Sequence, residues 1–225
     1  MQYFGIDYTF VGTFMFFIGS LAWICGKEKQ DIYRGIVCFI VSALATGQFL
    51  FNLINNTHLD AHQFSDLAKT INHLMLSYML IDTYLLYLYG CKRTSLWAHH
   101  IWGIFSYITN ASFYHMSVPP IGEIVSAVYL FKLRSDDFFI KNNNISRIII
   151  FLFIRIPLWL YCYFFMIYNL DNFGRFYLAK IVPLTGLTML MILDTIWING
   201  NIESIFKNTI EYFDGELSKI TKKNK

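Results

Sequence analysis

The chain has 225 residues, 56% of them hydrophobic and only 15% charged, where ordinary soluble domains carry about a quarter charged residues. A formal net charge of +3 leaves no nucleic-acid footprint. The four cysteines, split between apolar blocks (Cys38, Cys162) and block ends (Cys25, Cys91), make neither a disulfide framework nor a metal cluster. The apolar residues fall in blocks of about 16 to 25, the length that crosses a hydrocarbon core of roughly 30 Å at about 1.5 Å per residue. That pattern predicts an all-α, polytopic membrane protein of about seven transmembrane helices in a bundle.

In chain order, the first block runs from Gly5 to Cys25. No Lys or Arg precedes it and Lys27, Lys29 and Arg34 follow it. A cleavable signal peptide has the reverse order, so a retained span is expected. The second block, Ile32 to Ile54, leads to a polar loop with His58, Asp60, His62 and Asp66. The third, Ile71 to Gly90, ends in the turn Cys91–Ser95, and the fourth runs from Trp97 to Tyr114. Pro119–Pro120 break the backbone and open a short fifth span reaching Phe131. A polar segment, Lys132 to Asn144, precedes the sixth span, Ile145 to Leu170 with Pro157 inside it, and the seventh, Phe176 to Ile198 with Pro183. Both prolines are expected to kink their helices.

Beyond the last span, Ile202, Ile205, Phe206, Ile210, Phe213, Leu217 and Ile220 follow helical spacing. Two readings stay open: an amphipathic helix on the cytoplasmic membrane surface, or a continuation of the seventh helix. The expected organisation is a first span and basic loop (1–31), a six-helix membrane domain (32–201) and a Lys-rich cytoplasmic tail (202–225).

With seven spans and the N-terminus outside, 14 of the 18 Lys and Arg fall in cytoplasmic segments, two in outer segments and two within spans. This asymmetry favours seven spans over six, since six would put the basic first loop and the basic tail on opposite sides. The sequon Asn55–Asn56–Thr57 then lies in an outer loop, where glycosylation is permitted. The ending Lys222–Lys223–Asn224–Lys225 resembles a dilysine retrieval signal, which in a eukaryotic host implies the endoplasmic reticulum.

Ionisable residues inside spans are candidate functional residues, because a charge in hydrocarbon is so unfavourable. They are Asp82, His99, His100, Glu123, Arg155 and Asp194. Counted from the cytoplasmic ends of their spans, Asp82, Glu123 and Arg155 lie about 12–15 Å deep, and the histidines and Asp194 about 3–6 Å. Five spans thus contribute to one slab, which implies a polar cavity open to the cytoplasm. Glu123 and Arg155 are candidates to neutralise each other, and Asp194 is close enough to the interface to meet headgroups. Asp82 has no opposite charge within a turn of its own helix, so it needs either a partner from another helix or a proton.

The two histidines point about 100° apart on a helix, so they cannot chelate one ion as an i, i+4 pair does, and no metal is expected. Two arrangements are open. One imidazole faces the cavity as base or nucleophile while the other orients it, with Asp82 fixing a tautomer; or both bond headgroups at the membrane surface. His73 and His115, at outer ends, are assigned no role.

Several stretches together resemble the TLC-domain family, named for translocon-associated, ceramide-synthase and lipofuscinosis-linked members. LSYMLIDTYLLYLYG resembles its acidic span (Asp82), LWAHHIWGIFSY its His-His segment (His99, His100) and IGEIVSAVYLFK its Glu-bearing span (Glu123). FLFIRIPLWLY resembles its Arg-bearing span (Arg155) and MLMILDTIWING its last span (Asp194). The likeness covers roughly Ile32 to Asn201. It implies a role in membrane lipid homeostasis, with a lipid or acyl chain held in an intramembrane cavity and membrane lipids as partners. In the ceramide synthases of this family the histidine pair belongs to the active site. That branch implies an acyltransferase with acyl-CoA as co-substrate and no other cofactor, with His100 as nucleophile or base, His99 as its partner and Asp82 as orienter. The His-Asp-x-x-Ser-Asp segment of that branch is replaced here by Pro119–Pro120–Ile121–Gly122–Glu123–Ile124–Val125–Ser126.

Overall fold

The structure, a computed structural model of the chain, describes residues 6–55, 66–110, 114–127, 143–169 and 177–223. Among these residues the secondary structure is helical throughout, with no strand. The helices are α1 (Tyr8–Cys25), α2 (Gln30–Ile54), α3 (Asp66–Leu88), α4 (Thr94–Asn110), α5 (Asn143–Ile150), α6 (Ile156–Tyr168) and α7 (Tyr177–Lys223). Tight 3₁₀ turns cover Tyr114–Ser117 and Pro119–Glu123, and a π-helical turn, Phe151–Arg155, joins α5 to α6. The sequon beyond Asn55, the loop with His58, Asp60 and His62, residues 128–142 and the last two residues lie outside the described residues.

Four of the helical runs are long and apolar enough to cross a membrane: Tyr8–Cys25, Gln30–Ile54, Ile145–Tyr168 and Ile181–Lys207. α3 has the length but carries buried Asn72, His73, Ser77 and Asp82, and α4 is 17 residues long. The backbone after Pro119–Pro120 is first 3₁₀, because two consecutive prolines remove the donors that an α-helical turn would use. α7 continues without a break through residue 202, so the tail extends the last helix.

Helix ends follow local chemistry. The Asp7 carboxylate caps α1 by accepting from the N–H groups of Thr9 (3.0 Å) and Phe10 (3.4 Å). The Asp7 N–H in turn donates to Nε2 of His73 at 2.8 Å, tying the start of α1 to α3. α1 and α3 close on Gly26 and Gly90 with φ +64° and +65°, a left-handed conformation that only glycine adopts cheaply. After Gly90, the Cys91 N–H reaches back to the Leu86 carbonyl at 2.9 Å.

α3 packs against α1, α2 and α4, and α7 packs against α4, α5 and α6. One apolar cluster joins α1–α4, with Val41, Ile71, Met75 and Met79 inside it; a second joins α6 and α7 around Trp159, Met166 and Leu187. The exposure pattern is inverted relative to a soluble domain. Phe16 (71%), Phe153 (76%) and Trp23 (88%) stand exposed, whereas Asp82 and Asp194 are fully buried. Large apolar side chains outside and charges inside is the arrangement expected of helices whose solvent is hydrocarbon.

Candidate functional site

The six ionisable residues singled out in the sequence converge at one end of the helix assembly, where the two apolar clusters meet. Each is buried, so each must find a partner there.

The first group joins α2, α3 and α4. Asp82, near the C-terminal end of α3, receives Nε of Arg34 at 2.8 Å (Oδ1) and 3.1 Å (Oδ2). Its Oδ2 also lies 3.3 Å from Nε2 of His100. Of the two alternatives for Asp82, a partner from another helix or a proton, the structure supplies the first: Arg34 of α2. Arg34 sits one turn into α2, and its long side chain reaches inward instead of toward the surface; Asp31 lies 3.9 Å away on the rim. In the sequence Arg34 looked like one more cytoplasmic loop charge. The usable signal was its depth: about 6 Å inside the helix start plus an extended side chain meets the level of Asp82.

The second group joins α6, α7 and the two irregular turns. Arg155 grips Asp194 with two hydrogen bonds, Nε to Oδ2 at 2.9 Å and Nη2 to Oδ1 at 3.0 Å. Its Nη1 donates to the Gly122 carbonyl at 3.0 Å, and the Trp159 indole N–H donates to Asp194 Oδ2 at 2.7 Å. The guanidinium is stacked among the rings of Phe151, Trp159 and Trp197, 5.2 to 5.9 Å from their centroids. Arg155 therefore pairs chiefly with Asp194, not with Glu123, whose Oε1 stands 3.9 Å from Nη1. Asp194 faces Arg155 and Trp159, not a headgroup layer.

Pro157 explains the local backbone. A proline inside a helix lacks the N–H and crowds the carbonyl four residues back, here that of Phe153. The chain widens into a π turn, in which the Ile156 N–H bonds to the Phe151 carbonyl. The expected kink is thus a π turn, a feature often found at functional sites, and it ends on Arg155.

Glu123 is held by the turn that precedes it. Ser42 on α2 donates to the Pro120 carbonyl at 2.8 Å and fixes that turn against α2. Gly122 packs closely here: a Cβ would stand 3.1 Å from Trp159 and 3.3 Å from Arg155, so a larger residue requires those side chains to shift by a few tenths of an ångström. Glu123 Oε1 lies 3.6 Å from Nε2 of His99, an ion-pair distance too long for a hydrogen bond.

The adjacent histidines consequently face different carboxylates, His100 toward Asp82 and His99 toward Glu123, with ring centroids 5.4 Å apart. Both imidazoles are buried, and neither Nδ1 has a hydrogen-bond partner. The reading in which both bond headgroups is not the observed geometry.

Two cavities meet at these side chains. A polar one of about 510 Å³ is lined by Arg34, Asp82, Arg93, His100, Arg147 and Arg155, among others. A narrow apolar one of about 50 Å³ is lined by Met75, Met79, Trp102, Tyr107, Pro183 and Leu187, among others. His99 and Glu123 belong to both walls. Chemically, the arrangement sets two imidazoles 3.3 and 3.6 Å from two carboxylates, between a cation-rich vestibule and an apolar slot. Among the described residues no group of three or more His, Cys, Asp or Glu is arranged to hold a metal ion. No protein-family model, no curated protein and no solved structure matches the chain.

Proposed function

We propose that the chain is a seven-span membrane protein of the TLC type, near the kind called TLC domain-containing protein 4, that acts in membrane lipid homeostasis by holding a lipid or acyl chain. In this reading the N-terminus is outside, the C-terminus is cytoplasmic, and the host membrane in a eukaryote is the endoplasmic reticulum. One observation carries the proposal: His99 and Glu123 line both an apolar slot and a polar cavity. An amphiphile has the matching shape, with a chain for the slot and a polar head for the vestibule. Most ligand pockets combine apolar walls with a few convergent polar groups in this way.

The test is native mass spectrometry of the purified chain. A lipid retained by the wild type and displaced by Asp82→Leu or Glu123→Leu is expected. A wild-type protein that emerges lipid-free from gentle extraction would overturn the reading.

A second reading is favoured by the paired imidazoles and carboxylates. Here the chain is an acyltransferase using acyl-CoA, with one histidine as the base or acyl-accepting nitrogen and the other as its partner, and with Asp82 as orienter. The geometry favours His99 for the acyl-facing role, since it borders both cavities, with His100 held by Asp82. Labelled acyl-CoA supplied with candidate acceptors should then yield a product that His99→Ala and His100→Ala abolish while the fold persists. Unchanged turnover in both variants removes the histidines from the mechanism.

A further inference from the structure

The last helix is longer than a membrane needs. α7 runs unbroken from Tyr177 to Lys223, and its 47 residues span about 70 Å, more than twice a hydrocarbon core of roughly 30 Å. The excess lies at the C-terminal end. The apolar run gives way at Asn199–Gly200–Asn201, and eight of the 21 residues from Glu203 to Lys223 are charged. An amphipathic helix can cover its apolar stripe by lying flat among headgroups. α7 has no break after residue 198 at which it could turn into that plane, so this stretch stands off the membrane as a stalk.

The stalk nevertheless carries an apolar stripe. Phe206 and Ile210 are 66% and 60% exposed. From Phe206 the sequence goes on to Ile210, Phe213, Leu217 and Ile220, in alternating steps of four and three residues. That spacing is the heptad repeat of a coiled-coil seam, with Ile210 and Leu217 at a and Phe206, Phe213 and Ile220 at d. Such a seam is covered by another helix. A second copy of the chain in the same membrane supplies one that is parallel and at the same height, so its register is set before the stalks meet. In that register the flanking positions set Thr209 against Asp214 and Glu216 against Thr221 of the second copy, so no like charges are opposed. Burying five apolar side chains on each of two chains, two of them phenylalanines, removes roughly 1,000 Å² from water, the least a specific interface needs. Anchoring both stalks in one membrane raises their effective concentration and lowers that requirement.

We propose that residues 206–220 of α7 form a homodimerisation stalk, a parallel two-stranded coiled coil with a second copy of this chain. The inference depends on α7 entering the membrane and leaving it as one helix, not on what the two cavities hold.

The experiment introduces single cysteines into the full chain, with the half-buried Cys25 and Cys91 replaced by serine, and oxidises it in native membranes. Ile210→Cys and Leu217→Cys fall on the seam, whereas Ser204→Cys and Ser218→Cys fall on its outer side. The seam variants should form disulfide-linked dimers at least about tenfold faster than the outer ones, because only seam positions bring two Cβ atoms within bonding reach. The parent without an introduced cysteine should form none. Light scattering of the uncross-linked chain in detergent micelles should give twice the chain mass. Ile210→Asp/Leu217→Asp, which puts charges on the seam, should return it to the mass of one chain, with the far-ultraviolet circular dichroism of the membrane helices kept. The inference is overturned if seam and outer cysteines cross-link at equal rates, if the wild type has the mass of one chain, or if the double aspartate variant stays dimeric. Dimers that cross-link through the outer positions instead place the interface on another face and overturn it as well.

Discussion

Replacing Asp194 by leucine tests the buried charge cluster most directly. Asp194 and Arg155 have side chains 0% and 1% exposed and are joined by two hydrogen bonds of 2.9 and 3.0 Å. Removing one partner of a buried pair leaves an uncompensated charge, at a cost of about 3–5 kcal/mol. Asp194→Leu also leaves the Trp159 N–H without its acceptor, worth about 1–3 kcal/mol more. Glu123, 3.9 Å from the guanidinium, offsets part of this by moving closer. A net destabilisation of about 4 kcal/mol is expected. Arg155→Met strands Asp194 in the same way. The double variant Arg155→Met/Asp194→Leu removes both charges and leaves only the Trp159 N–H and the Gly122 carbonyl unmet, a loss of about 1–3 kcal/mol. The double variant should therefore be more stable than either single one, with a coupling energy of at least about 2 kcal/mol. Unfolding by sodium dodecyl sulfate titration in mixed micelles, followed by far-ultraviolet circular dichroism, measures all three. If the double variant loses the sum of the single losses to within about 0.5 kcal/mol, the two residues act independently and the cluster argument is refuted.

Three more outcomes follow from single contacts. Arg34→Met should destabilise the protein by about 3 kcal/mol, because Asp82 loses both Nε contacts and keeps only His100; the same unfolding titration reads it. Ser42→Ala should cost about 1 kcal/mol by releasing the Pro120 carbonyl, and should loosen the turn that carries Glu123, visible as faster amide exchange at Ile121–Glu123. Asp7→Ala removes the cap on α1 and should cost about 1 kcal/mol, with faster exchange at Thr9 and Phe10 and little change elsewhere.

The candidate site was legible in the sequence to the extent that burial cost is. Charges cannot sit in apolar blocks without purpose or partner, so Asp82, His99, His100, Glu123, Arg155 and Asp194 could be picked out without knowing where they meet. Which of them pair could not. Arg155 faces Asp194 because the π turn ahead of Pro157 sets the direction of its side chain, and a one-residue change of helical phase is invisible in hydropathy. Arg34 was missed because its position at a block edge reads as a loop charge, while its side chain extends inward to another helix.

By itself the sequence determined the all-helical class, the positions of the apolar runs and the set of residues too polar for them. These follow from composition and periodicity, which are properties of neighbouring residues along one chain. The tertiary structure decided which carboxylate meets which cation, that the two histidines of α4 face two different acids, one on α3 and one on the turn Pro119–Glu123, and that an apolar slot and a polar cavity share His99 and Glu123 as a common wall. The physical reason is range: burial preference is a local quantity, whereas a 3 Å hydrogen bond between helices depends on the phase and depth of both partners at once.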